Sequence, residues 1–190
     1  VVEDLIPAES PTAPALTTPE NGVEVSPTPL ALPEMQRRMQ QMREHQPDLG
    51  QMGSMMDQMG GMMQDMQRGP ADQRQTQERT AQMADIMGQM SETIGEREGL
   101  PPELRGGMQE TVRQMHQLML RLHTNWDQLS PEEQQELTGQ MATLMDDMGE
   151  IMRQASQPQL GVEEQQRLES RLQQMQGQIQ RMMEVLGPPA

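Results

Sequence analysis

Between positions 70 and 187 apolar residues recur every three or four places, the spacing that gathers them on one face of an α-helix rather than a strand. Four such seams can be read. Thr76, Thr80, Met83, Met87, Met90 and Ile94 make the first, and Leu104, Met108, Thr111, Met115, Leu118 and Leu122 the second. Leu137, Met141, Leu144, Met148, Ile151 and Ala155 make the third, and Leu168, Leu172, Met175, Ile179, Met182 and Leu186 the fourth. Natural stops separate them at Gly95 to Pro102, Gln128 to Pro131 and Gln157 to Gly161.

The predicted ends carry matching chemistry. Ser130-Pro131-Glu132-Glu133 combines an N-cap serine, proline at the first helical position and a capping-box glutamate at the third. Gly187-Pro188-Pro189 is a plain stop. Helices of about 25 residues run about 38 Å, and short links between helices of equal length favour antiparallel neighbours. The expectation is an all-α fold, an antiparallel up-down four-helix bundle over 70–187. Aligned midpoints would bring Met83 or Met87, Met115, Met141 or Met145, and Met175 together, giving methionine-rich central core layers with Trp126 covering one end. Isolated glycines at Gly88, Gly139, Gly149 and Gly177 each weaken a helix by about 1 kcal/mol, which points to close helix approach or to a pressure unrelated to stability.

Upstream the pattern changes twice. Residues 1–34 hold most of the prolines among small and acidic residues, and so form a disordered or extended tail that orders only along a partner. Residues 35–68 read as a short methionine-rich helical arm. Its first helix, Pro33 to His45, places Met35, Met39 and Met42 on one face and ends at Pro47. Its second is interrupted by Gly50, Gly53, Gly60 and Gly61 and stops at Gly69-Pro70.

Composition narrows the chemistry. The chain contains 23 methionines but no cysteine, phenylalanine or tyrosine, and only Trp126 among the large aromatics. Hydrophobic residues make up 33% of it, enough for narrow helical seams. The formal charge of −15 repels phosphate backbones, which argues against nucleic-acid binding. No apolar run approaches the length of a membrane span. Val1 in place of an initiator methionine fits a removed leader as well as a trimmed chain, and the reading taken is an extracytoplasmic protein, periplasmic or secreted.

The run MGSMMDQMGGMMQDM sets thioethers at i, i+3, i+4 and i+7, along one side of a helix. Thioether has no proton to lose and forms no disulfide, and as a soft ligand it selects Cu(I) or Ag(I) over harder ions. The candidate ligands are Met52, Met55, Met56, Met59, Met62, Met63 and Met66. A second group pairs imidazole with sulfur three or four residues apart: Met42 with His45, His116 with Met119, and Met119 with His123. The alternative for any of these methionines is packing, with methionine standing where leucine usually does.

The Met-x-x-His, His-x-x-Met and Met-x-x-x-His spacings, in a cysteine-free acidic chain with a methionine-dense segment, resemble the methionine-rich copper- and silver-binding proteins of bacterial periplasmic metal resistance. That resemblance implies a Cu(I) or Ag(I) buffer, carrier or resistance factor. The methionine-lined helices with interspersed glycines also resemble the flexible bristles with which signal-recognition particles hold apolar signal sequences. This second likeness implies an adaptable surface, so the alternative is a structural or chaperone-like protein whose arm and tail dock on an apolar partner or a larger assembly. Oligomerisation stays open. No nucleophile with a nearby base, haem motif or phosphate-cradling loop is visible, and the chain reads as non-enzymatic.

Overall fold

A computed structural model describes residues 32–44, 48–68 and 73–187. They form six α-helices: α1 (Leu32–Glu44), α2 (Leu49–Arg68), α3 (Gln73–Gly95), α4 (Pro102–Asn125), α5 (Pro131–Ala155) and α6 (Val162–Leu186), with a 3-10 turn at Trp126–Gln128. The protein is all-helical over these residues. Leu32, Pro33 and Glu34 make the first turn of α1, whereas the tail before them, His45 and the Met42 side chain lie outside the described residues.

Local chemistry fixes the ends. At α5 the Ser130 N–H donates to the Glu133 carboxylate at 2.8 Å, while the Glu133 N–H donates to the Ser130 hydroxyl at 3.3 Å. The Ser130 backbone N–H, and after it the Ser130 hydroxyl, hold the Glu133 carboxyl below its ordinary range. Gly161 starts α6 with half of that arrangement, its N–H donating to the Glu164 carboxylate at 3.2 Å. Gly187, at φ 71°, ends α6 in a backbone conformation that side chains disfavour. The end of α4 then secures that terminus. Buried Asn125 donates from Nδ2 to the Leu186 carbonyl at 2.9 Å, and Arg121 reaches the Gly187 carbonyl at 3.1 Å.

Every residue of the four seams is buried, and they join one continuous core with Leu32, Met35, Met39 and the inner face of α2. Trp126 is buried at the turn, where its carbonyl accepts from Gln134 at 2.8 Å. Helix α3 packs along α4 in the opposite direction: the Ser91 hydroxyl donates to the Gln109 carbonyl, and Gln77 meets Asp127. Helix α6 lies against α4 in the same direction, with Gln176 bonded to Thr111 near the middle of the pair and Asn125 to Leu186 at its C-terminal end. α1 rests on α3, and α5 touches α6 only briefly.

The most extensive pairing is α2 with α5. Glycine makes it possible. A side chain on Gly53 would come within 2.6 Å of the Gly149 carbonyl oxygen, and one on Gly149 within 2.8 Å of the Gly53 carbonyl oxygen. Two turns along each helix from that crossing, Gly60 lies 3.1 Å, measured from where its Cβ would be, from the Ala142 carbonyl oxygen. Low residue numbers in α2 thus meet high ones in α5, and the helices are antiparallel. On the outer edge of the seam Arg153 is ion-paired with Asp57, and Gln67 donates to the Gln135 carbonyl at 3.2 Å.

Candidate metal site

The α2 stripe is turned inward. Met52, Met56 and Met59 have no exposed surface, Met55 and Met63 almost none, and Met66 is buried; Met62 alone of the seven is half-buried. Met62 lines an open cleft between α1, α2 and α3 together with Gln58, Gln64, Asp65, Glu78 and Arg79. Helical geometry explains the inward turn. Met52 and Met59 immediately precede Gly53 and Gly60, so their side chains leave the helix about 100° away from the glycine contact. Met141 and Met148 stand in the same relation to Ala142 and Gly149. Equal rotations about opposed axes carry both sets to the same side of the seam, which is the core side.

The leucines and isoleucines that share their seam assign the α5 methionines to packing, and none of them is among the candidate ligands above. The register places Met148 about level with Met52, Met145 with Met56, and Met141 with Met59, and all six are fully buried. A signal for this lies in the chain itself. QMGSMMDQMG at 51–60, QMADIMGQMS at 82–91 and QMATLMDDMG at 140–149 are three versions of one decapeptide. Each has methionine at its second, sixth and ninth positions and a small residue at its third and tenth. In α2 and α5 those small residues are the ones that meet across the seam: the third of each faces the tenth of the other. The pair therefore has a local twofold relation, centred between Met56 and Met145.

The acidic seventh position obeys the same relation. Asp57 lies over Gly149, its Oδ1 buried without a hydrogen-bond partner, and Asp146 lies over Gly60. Burial, reinforced by the neighbouring Asp147 charge, pushes the Asp146 carboxyl above its ordinary range. Both carboxylates sit on the outer edge of the seam, away from the sulfurs.

The second group falls between α3 and α4. His116, Met119 and His123 share one face of α4, with Met119 fully buried and both imidazoles half-buried. The His116 ring covers Gly88, its Cε1 3.3 Å from where a Cβ would stand, so this glycine too marks a close approach. His123 Nδ1 is buried without a hydrogen-bond partner. Seven residues of helix separate the imidazoles by about 10.5 Å along the axis, so Met119 can join one or the other around an ion but the two rings cannot share it. Met42 and His45, the remaining pair, fall outside the described side chains.

Among the described residues no three His, Asp or Glu side chains converge as a metal-holding group. No described helix is long and apolar enough to cross a membrane. Comparison with protein-family models, with curated proteins and with solved structures finds no match to this chain.

Proposed function

We propose that this is a non-enzymatic, extracytoplasmic soft-metal protein that holds Cu(I) or Ag(I) through buried thioethers, as a buffer, carrier or resistance factor. The observation that carries the reading is the inward turn of the α2 stripe, which concentrates sulfur in a space without carboxylates. Such a donor set fits a soft monovalent ion and is poor for hard divalent ones. Met52, Met55, Met56, Met59, Met62, Met63 and Met66 are the main ligands in this reading. His116 or His123 with Met119, and Met42 with His45, form the lesser ones.

The finer architecture belongs to the same proposal: an antiparallel up-down bundle whose central layers are rich in methionine. Its support is the opposed direction of α3 and α4, the shared direction of α4 and α6, and the burial of Met83, Met87, Met115, Met141, Met145 and Met175. What separates this reading from an adaptable apolar surface is that the α2 sulfurs are already buried in the core. The large apolar side chains exposed among the described residues are Leu120, Val162 and Val185, scattered over α4 and α6.

The test is Cu(I) binding in competition with a chromophoric chelator. The parent chain should bind with submicromolar affinity, and leucine at all seven α2 positions should abolish that binding. Unchanged affinity and stoichiometry in the variant would remove α2 from the site.

A further inference from the structure

We infer that α5 supplies half of the thioether site, and that the α2–α5 pair holds two soft ions in equivalent positions related by the local twofold of the repeated decapeptide. This rests on the soft-metal reading above and goes beyond it in ligands and in number.

Two facts lead there. First, α2 and α5 present the same three sulfur positions, second, sixth and ninth, on the same side of one seam. Second, the glycine contacts fix the register, so each outer level carries one methionine from each helix: Met52 with Met148, and Met59 with Met141. The central level carries Met56 and Met145. A twofold relation exchanges Met52 with Met141, Met56 with Met145, and Met148 with Met59. Six sulfurs so related divide into two equal sets of three, Met52, Met56 and Met148 on one side of the centre and Met141, Met145 and Met59 on the other. Each set takes two sulfurs from one helix and one from its partner. The midpoints of the two sets lie about five residues apart, about 7.5 Å of helix rise, which keeps two monovalent charges from sharing one site.

The third decapeptide, on α3, is a built-in control. Its methionines, Met83, Met87 and Met90, are equally buried, yet α4 opposes them with Gln109 and His116 at the close contacts instead of a second copy. The twofold arrangement is therefore confined to α2 and α5.

Full-length protein titrated with Cu(I) against a chromophoric chelator, followed by sulfur coordination from X-ray absorption, tests the assignment. The parent should bind two ions tightly, each with three sulfur neighbours, the lesser imidazole-bearing pairs filling only at higher Cu(I). Met148→Leu should reduce the number bound from two to one. The triple variant Met141→Leu, Met145→Leu, Met148→Leu should bind none tightly, although all seven α2 thioethers remain. Leucine at Met83, Met87 and Met90 should leave two. Leucine nearly conserves volume, and circular dichroism on each variant confirms the helices; should the triple variant unfold, the single Met148→Leu result decides. Parent-like binding by the α5 variants overturns the inference while leaving α2 as a site on its own. Failure of the parent to bind overturns both, and loss of binding in the α3 variant overturns the choice of α5.

Discussion

Replacing Gly53 by alanine should weaken the fold, whereas the same change at Gly61, in the same helix, should strengthen it. Alanine is favoured over glycine inside a helix by about 1 kcal/mol. At Gly61 the added methyl meets nothing within 4 Å, so that gain should appear nearly whole. At Gly53 the methyl would stand 2.6 Å from the Gly149 carbonyl oxygen, 3.1 Å from Arg153 Cγ and 3.3 Å from Met152 Cβ. The carbonyl belongs to a helix backbone and cannot swing aside, so α2 and α5 must separate along the seam. Overpacking of this kind costs about 1–3 kcal/mol, with the tight backbone contact placing it in the upper part of that range. Set against the propensity gain, Gly53→Ala should lose about 1–2 kcal/mol. The two variants then differ by about 2–3 kcal/mol, roughly 5–10 °C in Tm for a chain of this size. Urea and thermal unfolding followed by far-UV circular dichroism would measure the gap. Gly149→Ala should behave like Gly53→Ala, and the double variant should lose less than the sum because the seam is already open. If Gly53→Ala stabilised the protein as much as Gly61→Ala, the close approach of α2 to α5 would be refuted.

Burial raises the Asp146 carboxyl, so the folded chain takes up that proton more readily than the unfolded one. The ionised carboxylate therefore opposes folding above its raised pKa, and the opposition is relieved as pH falls through it; Asp146→Asn should be the more stable protein at pH 7, with the difference shrinking in acid unfolding titrations. Asn125→Ala removes the donor to the Leu186 carbonyl from a buried position and should cost about 1–3 kcal/mol, read from the urea midpoint. Under brief peroxide exposure, peptide mapping should find sulfoxide first at the half-buried Met62 and Met183, while Met52, Met56 and Met59 react only as the fold opens. Early oxidation of those three would show that α2 is not held against α5.

The helices and their buried faces were legible because they depend on local rules. The Ser130 capping box, the Gly187 stop and the three-and-four spacing of the seams each act within a turn or two of chain. Which helix covers which face is a different kind of information, and periodicity does not contain it. Gly53 and Gly60 read as weak points in a helix because their use is visible only once Gly149 and Ala142 lie opposite. The recurrence of the decapeptide, with its small residues seven apart, was the available signal. For the candidate site, the dense stripe from Met52 to Met66 stood out by number, whereas Met141, Met145 and Met148 were masked by the leucines and isoleucines that share their seam. His116 was singled out by its distance from Met119, and its place over Gly88 needed the neighbouring helix.

The α2–α5 seam also has a place in time. The Asp57–Arg153 pair closes across 96 residues of chain, while Ser91 and Gln109, which join α3 to α4, are 18 apart. Loop-closure entropy makes the longer contact harder to form by about 1.5 kcal/mol before any packing repays it. The α3–α4 hairpin should form early and α2 should dock late, onto a partly assembled core. Release of α2 from α5 is then the last docking step run in reverse, a sub-global opening whose cost is set by the packing of the seam. Were the buried sulfurs to hold soft ions as proposed, they would need no channel: release of α2 would admit or discharge the ions, and the opening rate of the seam would set how long they stay.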